Sequence, residues 1–397
     1  MRALTLLPWI LPLYLLRLQI GVFPTTLLEL FVFFLFVSFT WRRGWKAWRE
    51  GFDRLGPWRW PVAAWLAVTL GEAFLSPSLR TGLGLWRAYV LEPLFVFVIM
   101  TATIKTEEDV DKIRRAFFGV TIVLAIWAIA QFATGWGIPH PWNVAIVAGR
   151  RATGPFPYPN ALALFVGPIG IWALGGMLKV RSQKPEVLGT CTWVAALVAI
   201  MLAKSDGGLA AFTSVAALLL LMERRTRRWT IAALIVTIGV VIATPQLRQP
   251  LWREASFQGW SGKVRLYIWR DTITMLKDHP LTGAGFGGYP TLFKSYQRTR
   301  GIEVFQYPHN IVLNVWSEAG LVGLLIFAWI VSTWIHGAFR VPSSTFRFSR
   351  FAPLLVILLH GLVDVPYFKN DLAMEFWMLA WLMTFSIGRV ELRRRLV

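Results

Sequence analysis

Apolar stretches of bilayer-spanning length follow one another along almost the whole 397-residue chain, and this constrains the fold more than any single motif. A hydrocarbon core about 30 Å thick takes roughly 20 apolar residues per helix. Inside lipid every backbone N–H and C=O must be paired within its own segment, so each stretch is expected to be a helix. About twelve spans are read: Leu4–Gln19, Phe23–Thr40, Trp60–Leu75, Leu85–Thr103, Phe117–Thr134, Ala161–Leu178, Cys191–Ala203, Leu209–Met222, Thr230–Thr244, Ile311–Ile335, Phe351–Val365 and Leu372–Ile387. The expected fold is an all-α polytopic membrane protein, one integral membrane domain over residues 1–397. The first stretch follows only Met1 and Arg2 and carries no small-residue cleavage site, so it is expected to be retained.

A formal charge of +20 invites a nucleic-acid reading, but its placement argues otherwise. Arg42, Arg43, Lys46, Arg49 and Arg54 share one loop, Lys105, Lys112, Arg114 and Arg115 another, Arg224, Arg225, Arg227 and Arg228 a third, and Arg393, Arg394 and Arg395 the tail. With twelve spans all four fall on one side. The positive-inside rule makes that side cytoplasmic, with both termini there. No separate basic domain remains for nucleic acid. Cys191 is the only cysteine and the five histidines lack metal-ligand spacing, so neither a disulfide nor a metal site is expected.

Two long segments face the other way: 135–160, ending GRRATGPFPYPN, and the large loop 245–309 between spans nine and ten. The second is rich in arginine and lysine. Either the charges are tolerated, since long loops escape the topology rule, or they form an anion-binding surface. Within it Lys263–Asp278 reads as a helix stopped by His279-Pro280, with Leu266, Trp269, Ile273 and Leu276 as its apolar stripe and Arg265 and Arg270 flanking. The run Gly283–Gly288 reads as a turn, or as a cradle for phosphate through its N–H groups. Arg150 and Arg151 lie on the correct side to meet a diphosphate. Glu318, two turns into span ten, and Asp364, near the outer end of span eleven, are carboxylates in apolar surroundings. Such groups face a cavity or a partner, and both are candidates to support a site.

From His309 the sequence reads His, Asn, nine residues, Gly320, two residues, Gly323. This spacing resembles the signature of bacterial O-antigen ligases. Arg265–Tyr289, with HPLTGAGFGGY, and Arg151–Asn160, with RATGPFPYPN, are similar to segments of the wider ligase and polymerase superfamily, and the likeness spans 150–335. The resemblance implies a GT-C-type, metal-independent, inverting glycosyltransferase without cofactor, in the bacterial inner membrane with its site facing the periplasm. It implies a glycan donor on undecaprenyl diphosphate. The acceptor is the lipid A core for a ligase and another lipid-linked glycan for a polymerase. The family histidine falls on His309 and the family loop arginine on Arg265, with Arg270 close behind. A second family arginine follows a serine at the outer end of span seven. Here that place reads AKSDGGLAAF, with Asp206 after Ser205, a departure that leaves Lys204 as the cation in this stretch.

The chemistry suits these residue types on its own terms. A neutral imidazole can deprotonate an acceptor hydroxyl near pH 7, and arginines match phosphate oxygens bidentately. The bland alternative makes His309 and Asn310 a helix start, Asn being a favoured N-cap. Ligase, polymerase and a lipid-linked glycan transporter all remain open at this level, though no internal repeat of the transporter kind is detected. Topology is directly testable: a cysteine at Gln258 should react with an impermeant maleimide in spheroplasts while Arg394→Cys should not. The reverse labelling would invert the assigned orientation.

Overall fold

The computed structural model describes residues 1–21, 23–179, 186–299, 301–340 and 344–385. The expected basic tail Arg393–Arg395 and Arg300 lie outside the described residues. Among the described residues the architecture is helical, with one departure from an all-α chain near the N-terminus. Helix α1 (Arg2–Ile10) and a 3₁₀ turn (Leu11–Leu15) lead into an antiparallel hairpin, β1 (Arg17–Ile20) with β2 (Phe23–Thr26), pairing Arg17 with Thr26 and Ile20 with Phe23. The segments expected as Leu4–Gln19 and Phe23–Thr40 therefore lose their adjoining ends to the hairpin. Gly21 at φ +58° and Pro24, which cannot enter a helix interior, explain the break.

Helix α2 (Leu27–Asp53) starts on a capping box between Thr26 and Glu29 and bends at Gly44 (φ +69°). Next come α3 (Arg59–Phe74), then α4 (Leu79–Trp86), joined through a π-helical turn (Arg87–Leu91) to α5 (Glu92–Thr103). Helix α6 (Glu107–Thr134) opens on the Thr106/Asp109 capping box and stops at left-handed Gly135. The following helices are α7 (Pro159–Lys179), α8 (Val187–Ala203), α9 (Asp206–Met222) and α10 (Arg224–Ala243). The loop expected over 245–309 is itself largely helical, holding α11 (Pro245–Ala255), α12 (Trp260–Asp278) and α13 (Tyr289–Phe293). The last helices are α14 (Ile311–Phe339), α15 (Ser344–Gly361) and α16 (Asn370–Thr384).

Five helical stretches among the described residues are long and apolar enough to cross a membrane: Leu79–Thr103, Glu107–Thr134, Pro159–Leu178, Arg224–Ala243 and Ile311–Phe339. The remaining segments read as spans are helical too, but shorter or more charged. Helix α7 packs on α8 and α15, and α16 is buried from Asp371 to Met383. By contrast no side chain of α10 is buried, as suits a helix sheathed in lipid.

On α12 the buried face carries Val264, Ile268, Asp271, Thr272 and Met275, while Leu266 and Ile273 point away from the protein. Of the apolar stripe read from the sequence, Leu276 is buried and Trp269 half-buried, while Leu266 and Ile273 stay exposed. Apolar residues therefore occur on both faces of this helix, one packed on the protein and one exposed.

The signature glycine Gly320 has a mechanical explanation. It sits inside α14 at φ +65°, ψ −179°, a non-helical conformation that breaks the helix. Into the break docks the segment before the glycine run. Leu321 N–H donates to Pro280 O (3.1 Å), Trp316 Nε1 donates to Pro280 O (2.8 Å), and Ala284 N–H donates to Ser317 O (2.8 Å). A Cβ on Gly320 would lie 1.8 Å from Leu281 O. Gly320→Ala should therefore unseat the 280–284 segment, lowering thermal stability by roughly 1–3 kcal/mol from backbone strain alone. Gly176→Ala, in open space on α7, should change melting little. Equal melting of both variants would show that the break carries no strain requirement.

Candidate functional site

The site grows from the start of α14. Asn310 caps the helix: its Oδ1 accepts from Val312 N (3.0 Å) and Leu313 N (3.1 Å), and its Nδ2 donates to Leu362 O (3.0 Å). The capping reading thus holds for Asn310. His309 is a different case. It adopts the left-handed conformation, φ +50°, uncommon for a residue with a side chain, and this turns its ring off the helix. The ring meets Phe305 edge-on at 5.1 Å, and Nδ1 lies 3.4 Å from Asp364 Oδ1. With Nδ1–H directed at the carboxylate, Nε2 is the basic nitrogen.

Asp364 lies in the connector between α15 and α16 and is 1% exposed. Its Oδ2 accepts from Asn160 Nδ2 (2.6 Å) and its Oδ1 from Val365 N (2.9 Å). Asn160, at the start of α7, accepts in turn from Arg151 Nη2 (3.2 Å). A continuous chain runs Arg151, Asn160, Asp364, His309. The two flanking charges fix the amide's orientation, oxygen to the guanidinium and nitrogen to the carboxylate.

Arg151 is seated by the end of α8. Its Nε donates to Ala203 O (3.0 Å), its Nη2 to Lys204 O (3.0 Å), and it lies 4.8 Å over the Trp142 ring. Arg265, reaching down from α12, donates through Nε to Val363 O (2.9 Å), next to Asp364, and through Nη1 to Ser261 Oγ (2.6 Å). Burial lowers the Arg151 pKa, Asp206 opposes that, Arg265 adds to it and Asp364 opposes it, so these charges share one neighbourhood. Beside them opens a cleft of about 490 Å³, walled by Ile200, Met201 and Leu209 and edged by Arg151, Lys204, Ser205 and Asp206.

Other candidates are placed elsewhere or used differently. Arg150 donates to the carbonyls of Phe132 (3.1 Å), Ala133 (2.8 Å) and Val144 (3.2 Å), closing the end of α6. Lys204 ends α8 at φ +49° and its ammonium donates to Ala148 O, although it also edges the cleft. Arg270 is half exposed and pairs with Asp271 Oδ1 (3.0 Å), outside the chain of contacts at His309. Glu318 accepts from Gly287 N–H and so pins the glycine run. The other N–H groups of that run are also taken: Gly283 by His279 O, Ala284 by Ser317 O, Gly285 by Thr282 O, Phe286 by Glu72 O and Gly288 by Gly285 O. The run is a turn rather than a phosphate cradle.

Sequence reasoning missed Asn160 and His360. Asn160 closes the RATGPFPYPN segment, but its partner lies 204 positions away. His360, 2% exposed, sits on the last turn of α15 with Nε2 3.5 Å from Ser205 Oγ, against the start of α9. Only the fold brings these pairs together.

Residues 191–328, about a third of the chain, match the family model described as O-Antigen ligase. In that segment the chain is similar to the O-antigen ligase superfamily. It contains Arg265, His309, Gly320 and Gly323, but neither Arg151 and Asn160 nor His360 and Asp364. Two curated proteins named "Putative polysaccharide ligase", from Rickettsia felis and Rickettsia bellii, are each 24% identical over 115 residues. Those alignments span 26% of this chain and 27% of each relative, so the chain matches about a quarter of their length.

Burial alone would raise the Asp364 pKa, but the hydrogen bond from His309, the charges of His309 and His360 and the Val365 N–H outweigh it and hold it below the ordinary carboxylate range. A carboxylate lowered in this way contributes stability that is fully present above its unfolded pKa, about 4, and lost as pH falls through the folded value. As pH falls below about 4, the stability difference between wild type and Asp364→Asn should therefore shrink. A difference that grew as pH fell below about 4 would reverse the sign and remove the charge from Asp364.

Proposed function

We propose that this chain, with its O-antigen ligase superfamily segment, is a membrane glycosyltransferase that moves a glycan from undecaprenyl diphosphate to an acceptor sugar hydroxyl. The observation that carries the reading is the His309–Asp364 pair joined through Asn160 to Arg151, with Arg265 anchored one residue from Asp364. His309 Nε2 takes the proton of the acceptor hydroxyl as that oxygen attacks the anomeric carbon. The bond from that carbon to the diphosphate oxygen breaks, its electron pair leaves with the diphosphate, and the anomeric centre inverts. Asp364 holds the imidazole tautomer and stabilises the imidazolium that forms.

Arg151 and Arg265 supply the fixed positive charge that the leaving diphosphate needs, so no divalent metal has to serve that role in this scheme. The apolar wall of the neighbouring cleft, Ile200, Met201 and Leu209, suits the first prenyl units of the donor. Lipid A core is the acceptor in the ligase form of the proposal. In the polymerase form it is a second lipid-linked glycan, and the same residues would act. Deleting the gene separates the two, because free lipid-linked polymer accumulates without a ligase and single repeat units without a polymerase.

In nanodiscs with an undecaprenyl-diphosphate glycan and its acceptor, His309→Ala should slow transfer roughly 10²–10⁴-fold while donor binding survives. Arg265→Ala should weaken donor binding, with only partial rescue by Lys, whose point charge cannot reproduce the guanidinium fork. EDTA should leave turnover unchanged. Near-wild-type transfer by a well-folded His309→Ala protein would sink the assignment.

A further inference from the structure

A second cavity lies away from the site just described. It occupies about 570 Å³ between α1, α2 and α5, with Leu4, Phe34, Leu35 and Ile99 among its apolar walls and Arg2, Arg42 and Arg43 at its rim. Glu29, which accepts from Asn370 Nδ2, marks the end of α2 nearer the catalytic connector. Arg42 is thirteen residues further along the helix, about 20 Å at 1.5 Å per residue. That is most of the depth of a hydrocarbon core.

Two further observations place the rim at lipid headgroup level. Helix α2 bends at Gly44 directly after the arginine pair. Trp41 and Trp45, on either side of that pair, are 90% and 70% exposed, as befits tryptophans of an interfacial belt. The three arginine side chains meet no hydrogen-bond acceptor and no carboxylate among the described residues, and no acidic side chain lines the cavity.

Three unpartnered guanidinium groups above an apolar cavity match one kind of occupant. A phosphate would be gripped bidentately, and acyl chains would replace water along the walls. A zwitterionic headgroup would bring its own cation against the arginines, so net negative charge is favoured. We propose that this cavity binds one anionic phospholipid, with its phosphate at Arg42 and Arg43 and its upper acyl chains against Leu4, Leu35 and Ile99. A lipid so held bridges α1, α2 and α5, and it should be retained through purification where ordinary surrounding lipid is lost.

Native mass spectrometry of the full chain, with phosphatidylglycerol or phosphatidylcholine added, tests this. One phosphatidylglycerol should stay bound at energies that strip phosphatidylcholine. Near-surface lipid charges are worth about 1 kcal/mol per arginine, roughly fivefold in affinity. Arg42→Gln with Arg43→Gln should therefore lower retention roughly 25-fold. The pair Arg224→Gln with Arg225→Gln, in a basic segment away from the cavity, should change it little, and inorganic phosphate should not compete. Equal retention of the two lipids, equal loss in both double variants, or displacement by millimolar phosphate would each overturn the proposal. Unchanged circular dichroism of the variants would keep misfolding from mimicking the effect.

Discussion

A carboxylate sealed from water is costly unless its charge is matched by hydrogen bonds and an opposing charge, and breaking such a pair strands the remainder. Asp364 meets that requirement by drawing on three parts of the chain at once. Asn160 comes from the start of α7, His309 from the start of α14, and the Val365 N–H from the connector itself. The neighbouring Val363 carbonyl takes Arg265 from α12. One buried charge thereby fixes the mutual position of the helix that carries His309, the loop that carries Arg151 and the surface helix that carries Arg265.

The helix that presents His309 is held by a second device. The break at Gly320 lets Pro280, Leu281 and Ala284 enter α14, so the chain between α12 and α13 is keyed into the same helix whose first residue follows the Asn310 cap. Glu318, just before the break, holds the glycine run through Gly287. The two signature features, the His-Asn start and the glycine, are thus the two ends of one arrangement. The first turns the imidazole toward Asp364, and the second anchors the segment that leads from α12 toward it.

Much of this was legible in the sequence because it was local. The apolar runs mark where most helices lie, although α2 runs on to Asp53, α6 begins at Glu107 and α15 at Ser344, outside the runs, and at the hairpin Gly21 and Pro24 cut two of them short. His309 and Asn310 stood out by spacing, and Asp364 because a carboxylate in an apolar run is conspicuous. What bound them was not local. Asn160 meets Asp364 across 204 positions and Glu72 O meets Phe286 N–H across the fold, contacts that leave no periodic trace. The protein-facing side of α12 was not legible for a related reason: Ile268 and Met275 pack inward, while Leu266 and Ile273, just as apolar, stay exposed.

The departure at Asp206 now has a physical counterpart. Where the resemblance calls for an arginine after the serine at the end of α8, the guanidinium present is that of Arg151, entering from the α6–α7 connector. It is bound from behind by Ala203 O and Lys204 O. The last carbonyls of a helix lack intrahelical donors and carry the negative end of its dipole, so they hold a cation well. The left-handed turn at Lys204 helps present them. A positive charge at this corner is therefore compatible with an aspartate in the expected position, because the corner's backbone, rather than its side chain, recruits the arginine. Arg151 lies outside residues 191–328, so the matched segment by itself lacks a charge that the folded corner supplies.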